Sequence, residues 1–99
     1  MNLRELADVH RALSSETRLR ILRMLAGRPM CVNAITRRLG ISQPSVSQHL
    51  AVLSRAGLVR GSREGSRVHY SLNDGELERL SRVLSRLPYC GRGVDYHRD

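Results

Sequence analysis

A short uncharged segment carries the side chains best suited to chemistry. Residues 42–50 read SQPSVSQHL, with hydroxyl, amide and imidazole groups, an early proline and no acid or arginine. If the segment is helical with Val46 and Leu50 facing inward, a rotation of about 100° per residue directs Gln48 and Arg55 outward. Amide, hydroxyl and guanidinium groups hydrogen-bond to base edges in the DNA major groove, and none of them is repelled by phosphate. The segment therefore predicts a helix that reads DNA.

The distribution of charge supports an anionic partner. The formal net charge is +8, every basic residue is arginine, and residues 28–72 hold seven arginines and one acid. No acid occurs in the 47 positions between Glu16 and Glu64. A surface kept free of negative charge is what a polyanion requires. An arginine-rich genome would explain arginine in place of lysine, but it would not explain the missing acids.

Two cysteines form a second group of reactive side chains. Cys31 and Cys90 lie 59 positions apart. A pair is too few for a disulfide-stapled secreted domain and is more typical of free or reactive thiols. The chain has no apolar run approaching 18 residues and no signal-peptide pattern. We therefore expect a cytoplasmic protein with no membrane partner.

Hydrophobic spacing predicts two helices before the first cysteine. The first occupies about residues 3–13, and Ser15 can cap the second, which ends before Gly27 and Pro29. The predicted buried side of the second helix comprises Leu19, Ile21, Leu22 and Leu25.

Two further helices are predicted to meet at Gly40. The third spans about residues 31–39, and Gly40 ends it because a residue without Cβ can adopt the positive φ of a tight turn. Ser42 then caps the uncharged helix, whose first turn tolerates Pro44 because its amides have no intrahelical acceptor to lose.

The period of the hydrophobic pattern changes from 3.6 to 2 after Gly57, which predicts strands over residues 58–63 and 67–72. Asn73 is then predicted to cap a last helix, with Glu76 completing a capping box. That helix is expected to end at Leu87, before Pro88. Two short strands are only marginally stable by themselves, so the hairpin must pack against the helices.

These elements predict a mainly α protein with a β-hairpin wing, namely a winged helix-turn-helix domain over residues 1–88 and a flexible tail over residues 89–99. The outer face of the second helix of the turn, with Arg55 at its end, would enter the groove. Arg63 and Arg67 flank the hairpin tip, where they are placed to contact the DNA backbone or the minor groove.

The runs TRLRILRML, CVNAITRRLGISQPSVSQHLAVLSRAGLV and GSREGSRVHYSL resemble the ArsR/SmtB repressors, bacterial winged-helix homodimers that leave DNA on sensing a metal or another chemical signal. The resemblance covers roughly residues 3–87. It implies a sequence-specific regulator of double-stranded operator DNA. By this likeness, the recognition helix would contact DNA through Ser42, Gln43, Ser45, Ser47, Gln48 and His49. The wing would contact DNA through Arg63 and Arg67. Alternatively, Ser42 only caps the helix and His49 lies at the edge of the buried stripe.

Residues spaced 3-4-3, all of them leucines except His10, mark a narrow helix-helix seam at each end of the chain. The predicted dimer interface comprises Leu3, Leu6, Leu13, Leu77, Leu80, Leu84 and Leu87. Such stripes also pack within a single domain, but two of them in a small protein leave apolar surface to cover. We therefore expect a homodimer through the first and last helices. Its recognition helices would lie roughly 34 Å apart, so the DNA target should be an inverted repeat.

The sequence departs from the family at the sensing positions. Members that bind soft metals use a C-x-C pair on the third helix, whereas Cys31 is followed here by Val32 and Asn33. The last helix also lacks the histidines of the family's zinc site. Our hypothesis is that Cys31 and Cys90 form a switch, either by joining oxidatively or by binding a thiophilic ion such as arsenite as metal ligands. Alternatively, Cys31 is a small buried hydrophobe and Cys90 an idle tail residue.

Other functions are less compatible with the sequence. Paired carboxylates, a nucleophile elbow, a phosphate loop and a dense metal-ligand cluster are all missing, so we expect no enzyme. RNA is not an expected partner because aromatic side chains for base stacking are scarce, and only Tyr70 lies in the hairpin. Two alternatives stay open: a dimeric protein-interaction module, and a winged-helix regulator whose effector does not touch cysteine.

Overall fold

A computed structural model describes the backbone of residues 1–90 and the side chains of residues 1–86. Its elements are α1 (Leu3–Leu13), α2 (Glu16–Leu25), β1 (Met30–Cys31), α3 (Val32–Leu39), α4 (Gln43–Arg55), β2 (Val59–Glu64), β3 (Arg67–Leu72) and α5 (Asp74–Cys90). The predicted fold class, mainly helical with a β-hairpin after the helix-turn-helix, is confirmed. The two-residue strand β1 was not predicted, because so short an element leaves no hydrophobic period in the sequence.

The sheet has the strand order β1-β3-β2, and both pairings are antiparallel. In the hairpin, Glu64 pairs with Arg67 across a tight turn in which Gly65 has φ +64°. Gly61 lies opposite Tyr70, and a Cβ at Gly61 would lie only 3.2 Å from the ring of Tyr70. A side chain at position 61 would therefore require the tyrosine ring to shift by a few tenths of an ångström.

Polar caps fix the ends of the outer helices. Asn2 and Glu5 form a reciprocal capping box at α1, with N–H to side-chain oxygen distances of 2.8 and 2.9 Å. At α5, Asn73 Oδ1 accepts from the Glu76 amide at 3.4 Å, but the Asn73 amide donates to the Leu58 carbonyl at 2.9 Å. The predicted capping box at Glu76 is therefore wrong in its second half, because hairpin closure occupies the Asn73 amide.

One hydrophobic core joins all five helices to the sheet. Its largest fully buried side chains are Ile21, Ile35, Val46, Leu50, Leu53 and Leu58. The prediction that Leu19 faces this core is wrong, since Leu19 is 48% exposed. On α2, Ile21 and Leu25 take the inward positions, and the helical rotation leaves Leu19 outside.

Helix α5 extends beyond its predicted end. It continues through Pro88 to Cys90, although proline beyond the first turn removes one hydrogen bond and crowds the carbonyl four residues before it. Residues 91–99, most of the predicted tail, lie outside the described residues, as do the side chains of Leu87 and Cys90. Among the described residues, no helix is both long and apolar enough to cross a membrane.

Candidate nucleic-acid interface

Helix α4 is held rigidly by the turn before it and by its buried face. Gly40 ends α3 with φ 69°, and its amide donates to the Thr36 carbonyl at 2.9 Å. Ser42 caps α4, its Oγ accepting from the Ser45 amide at 3.3 Å. Three fully buried side chains, Val46, Leu50 and Leu53, then fix the rotation of α4 about its axis. The direction of every outer side chain on α4 follows from this anchoring.

The outer face of α4 is polar, uncharged and open to solvent. Gln43, Ser47 and Gln48 are exposed, and Ser45 is half-buried beside them. The first turn contains no acid, so its free amides and the positive end of the helix dipole stay available to an anion. Ser42 combines a capping role with an exposed side chain. This face has the chemistry and the narrow profile that major-groove recognition requires.

His49 differs from its neighbours on α4. It is half-buried, and its Nδ1 lies 3.2 Å from Nη1 of Arg18 on α2. Sequence reasoning missed Arg18, because the two residues lie 31 positions apart and no local pattern connects them.

The wing carries two exposed arginines and is tied to the helical body at its base. Arg63 and Arg67 lie at the hairpin tip. At the other end, Asn73 Nδ2 donates to the Gly57 carbonyl at 2.9 Å, and Arg60 Nη2 donates to Asn73 Oδ1 at 2.9 Å. These bonds set the position of the hairpin relative to the end of α4.

Ion pairs separate the surface of the protein into two electrostatic regions. Within residues 1–86, the arginine–carboxylate pairs lie on α1, α2 and α5, such as Glu16 with Arg20 at 2.7 Å and Glu78 with Arg82 at 3.9 Å. None of the seven arginines in residues 28–72 pairs with an acid of this part of the chain: Arg28, Arg37, Arg38, Arg55, Arg60, Arg63 and Arg67. The positive potential of the helix-turn-helix and wing is therefore not neutralised from within.

Cys31 lies at the N-terminus of α3, beside the predicted DNA-contacting elements. It pairs with His69 across β1 and β3, and it lines a cleft of about 210 Å³ together with Gln43 of α4 and Arg67 of the wing. The backbone amide of Ala34 lowers the pKa of the Cys31 thiol below its usual value; partial burial opposes this, and the Arg67 guanidinium lowers the pKa further. The Cys31 side chain itself forms no capping hydrogen bond with α3.

The described residues do not form a donor set for a soft metal ion. No group of three or more His, Cys, Asp or Glu side chains in that part of the chain is arranged to hold a metal. Cys31 is the one cysteine among them, and Val32 and Asn33 beside it offer no thiolate. Cys90, the second predicted ligand, has its side chain outside the described residues.

The leucines of the predicted dimer seam have different environments. Leu6 and Leu80 are buried in the core of the subunit, and Leu13 and Leu77 pack against that core. Leu3 is 79% exposed and Leu84 is 38% exposed. Helices α1 and α5 therefore use Leu6 and Leu80 to close their own domain, and the dimer interface through these helices stays a prediction.

Comparison with known proteins decides the family. The family of bacterial regulatory proteins described as the arsR family matches residues 15–60. The transcriptional activator HlyU of Vibrio cholerae is 41% identical over 80 residues, which cover 81% of this chain and 73% of HlyU. The chain belongs to the ArsR family. The prediction that it is a transcriptional regulator rather than an enzyme is thereby confirmed.

Solved structures agree with the ArsR-family assignment. An ArsR-like transcriptional regulator from Rhodococcus sp. RHA1 superimposes with a TM-score of 0.80 at 34% identity, covering 86% of this chain and 80% of that one. A homodimeric winged helix-turn-helix DNA-binding domain from Mycobacterium bovis superimposes with a TM-score of 0.74 at 30% identity, covering 98% of this chain and 90% of the other. The predicted winged helix-turn-helix architecture is confirmed.

Proposed function

We propose that this ArsR-family protein is a homodimeric, cytoplasmic repressor that binds an inverted repeat in double-stranded DNA and is released by a signal acting on its thiols. The observation that carries the DNA-binding part is the outer face of α4. There, Gln43, Ser47 and Gln48 are exposed on a helix whose inner face is fully buried. Because the backbone of α4 is already ordered, only the rotamer freedom of these side chains is lost when they bind a base edge.

The remaining contacts follow from the positive surface beside that face. Arg63 and Arg67 at the wing tip, and Arg55 at the end of α4, pair with no acid of residues 1–86 and are free to meet phosphates. If a dimer neutralises about 6 to 10 phosphates, its affinity falls by roughly 10³ to 10⁵ between 50 and 200 mM salt. Base contacts on α4 would then select the sequence, and arginines would supply most of the affinity.

Dimerisation is supported by the apolar surface that one subunit leaves open. Leu3 on α1 and Leu84 on α5 are exposed, although Leu6 and Leu80 of the same stripes are buried in the subunit core. A second copy of the same helices would cover them around a two-fold axis. That arrangement presents two α4 helices to one face of a duplex, which is why the proposed target is an inverted repeat.

Regulation is assigned to Cys31, with Cys90 as its partner thiol. The open helix N-terminus and the nearby Arg67 lower the pKa of Cys31, and the same cleft is lined by Gln43 of the recognition helix. When the two thiols join, an S–S bond forms while two electrons and two protons pass to the oxidant; hydrogen peroxide, for example, becomes two waters. A bulky substituent on the Cys31 sulfur would clash with both α4 and the wing, because residues of both line the same cleft.

The release reaction provides the test of this regulatory proposal. Hydrogen peroxide, a polysulfide or arsenite is titrated into the complex between the protein and a duplex that it selects from a random-sequence library. We expect one of these agents to dissociate the wild-type complex at near-stoichiometric amounts, and Cys31→Ser and Cys90→Ser complexes to resist it by at least about tenfold. Unchanged release from both variants would contradict the assignment and favour an effector that does not touch cysteine.

The pKa of Cys31 gives a separate prediction. Because its pKa is lowered from the ordinary value of 9.0, the thiolate fraction near neutral pH exceeds that of an unperturbed cysteine. The rate of iodoacetamide alkylation, followed by mass spectrometry on the Cys31 peptide, should therefore rise with pH about a midpoint below that value. Arg67→Gln should move the midpoint upward. Arg63→Gln is the matched control and should leave it in place; equal shifts in both variants would argue against the Arg67 contribution.

A further inference from the structure

The side chain of Arg18 links the end of α1 to the middle of the recognition helix. Its Nε donates to the Ala12 carbonyl at 2.6 Å, and its Nη2 donates to the Arg11 carbonyl at 3.2 Å. Its Nη1 lies 3.2 Å from Nδ1 of His49. Arg11 and Ala12 belong to the last turn of α1, and the Arg11 carbonyl also accepts from the Ser14 amide at 3.2 Å. One guanidinium on α2 thus holds two other helices together.

The chemistry of the two groups determines which of them donates the hydrogen bond. A guanidinium has only donors, so Nδ1 of His49 must accept the hydrogen bond from Arg18. The tautomer that accepts this bond carries its ring proton on Nε2. Both side chains are half-buried, so this charge-assisted bond is less screened than one on an open surface. Nδ1 of His49 is therefore already hydrogen-bonded within the protein in the absence of DNA.

The position of His49 gives this link a consequence for recognition. His49 directly follows Gln48, whose side chain is exposed on the outer face of α4. We propose that Arg18 is a positioning residue for DNA binding, which acts through Nδ1 of His49 to hold α4 in register with α1. The role of His49 is then to receive this bond rather than to read a base. The inference rests on the proposed function, because it takes α4 as the helix that contacts DNA.

Two substitutions of His49 separate this role from base contact. Asparagine places its Oδ1 as many bonds from Cβ as the histidine Nδ1, so His49→Asn keeps an acceptor for Arg18. Glutamine places its amide as far out as Nε2, so His49→Gln keeps the outer group and loses the inner acceptor. The ligand is the duplex that the wild-type full-length protein selects from a random-sequence library. We expect His49→Gln to weaken binding by about tenfold and His49→Asn by less than about threefold.

A double-mutant cycle ties the effect to Arg18. In an Arg18→Gln background, His49→Gln should cause almost no additional loss, because the bond that it removes is already missing. Since Arg18 also holds the end of α1, the thermal unfolding midpoint of each variant is measured and binding is compared well below the lowest one. Additive losses in the cycle would overturn the link.

The outcomes for the two histidine variants are equally distinct. Retention of affinity by His49→Gln with loss in His49→Asn would mean that the ring reads DNA through Nε2, and the inference would be overturned. Equal losses, or no loss in either variant, would also overturn it. If the wild-type protein enriches no duplex, the proposed function itself fails and this inference falls with it.

Discussion

Gln48→Glu is expected to weaken operator binding by about 100-fold or more while leaving the fold intact. Gln48 is exposed on the outer face of α4, so the change removes a hydrogen-bond donor and adds a negative charge that the DNA phosphates would repel. The loss of a good bidentate base contact costs about 1–3 kcal/mol, and the repulsion adds to it. Fluorescence anisotropy on the selected duplex and a thermal unfolding curve would measure the two quantities.

Two comparisons make the Gln48 experiment specific. Ser54→Glu adds the same charge to the last turn of α4, six residues beyond Gln48, and is expected to weaken binding much less. Arg63→Gln should weaken binding to all duplexes alike and reduce the salt slope by about 1, because a phosphate contact carries no sequence information. Equal effects of Gln48→Glu and Ser54→Glu would mean that overall charge, and not the α4 face, governs binding.

Leu84→Glu is expected to convert the dimer into monomers and to lower operator affinity by about 10³-fold. A two-fold interface would bury two copies of the new carboxylate among apolar side chains, and each unpaired buried charge costs several kcal/mol. A monomer could engage only half of an inverted repeat, so the advantage of specific over non-specific binding would be lost. Sedimentation equilibrium and anisotropy on the same samples would follow both changes.

Leu19 provides a matched control for the dimer interface. It is also an exposed leucine, at 48%, but it lies on α2 instead of an end helix. Leu19→Glu should leave the protein dimeric and bound to DNA. A monomeric Leu19→Glu protein, or a dimeric Leu84→Glu protein, would show that α1 and α5 are not the helices that join the subunits.

The contrast between Leu84 and Leu80 marks the limit of the hydrophobic pattern. Spacing places both leucines on one stripe of α5, and sequence reasoning assigned both to the dimer seam. The structure buries Leu80 in the subunit core and leaves Leu84 partly open. Whether an apolar stripe meets its own domain or another chain depends on where neighbouring helices end, and periodicity along a single helix carries no information about that.

The helix-turn-helix was specified locally, by Gly40, the Ser42 cap and the inward spacing of Val46, Leu50 and Leu53. Each of these acts within one or two turns of chain, so the sequence by itself determined the segment, its uncharged outer face and the wing that follows. Only the tertiary structure could pair His49 with Arg18, and only it could bring Cys31 into a cleft with Gln43 and Arg67. Contacts of this kind join distant parts of the chain, and they are decided by how whole elements pack rather than by any pattern that a single element carries.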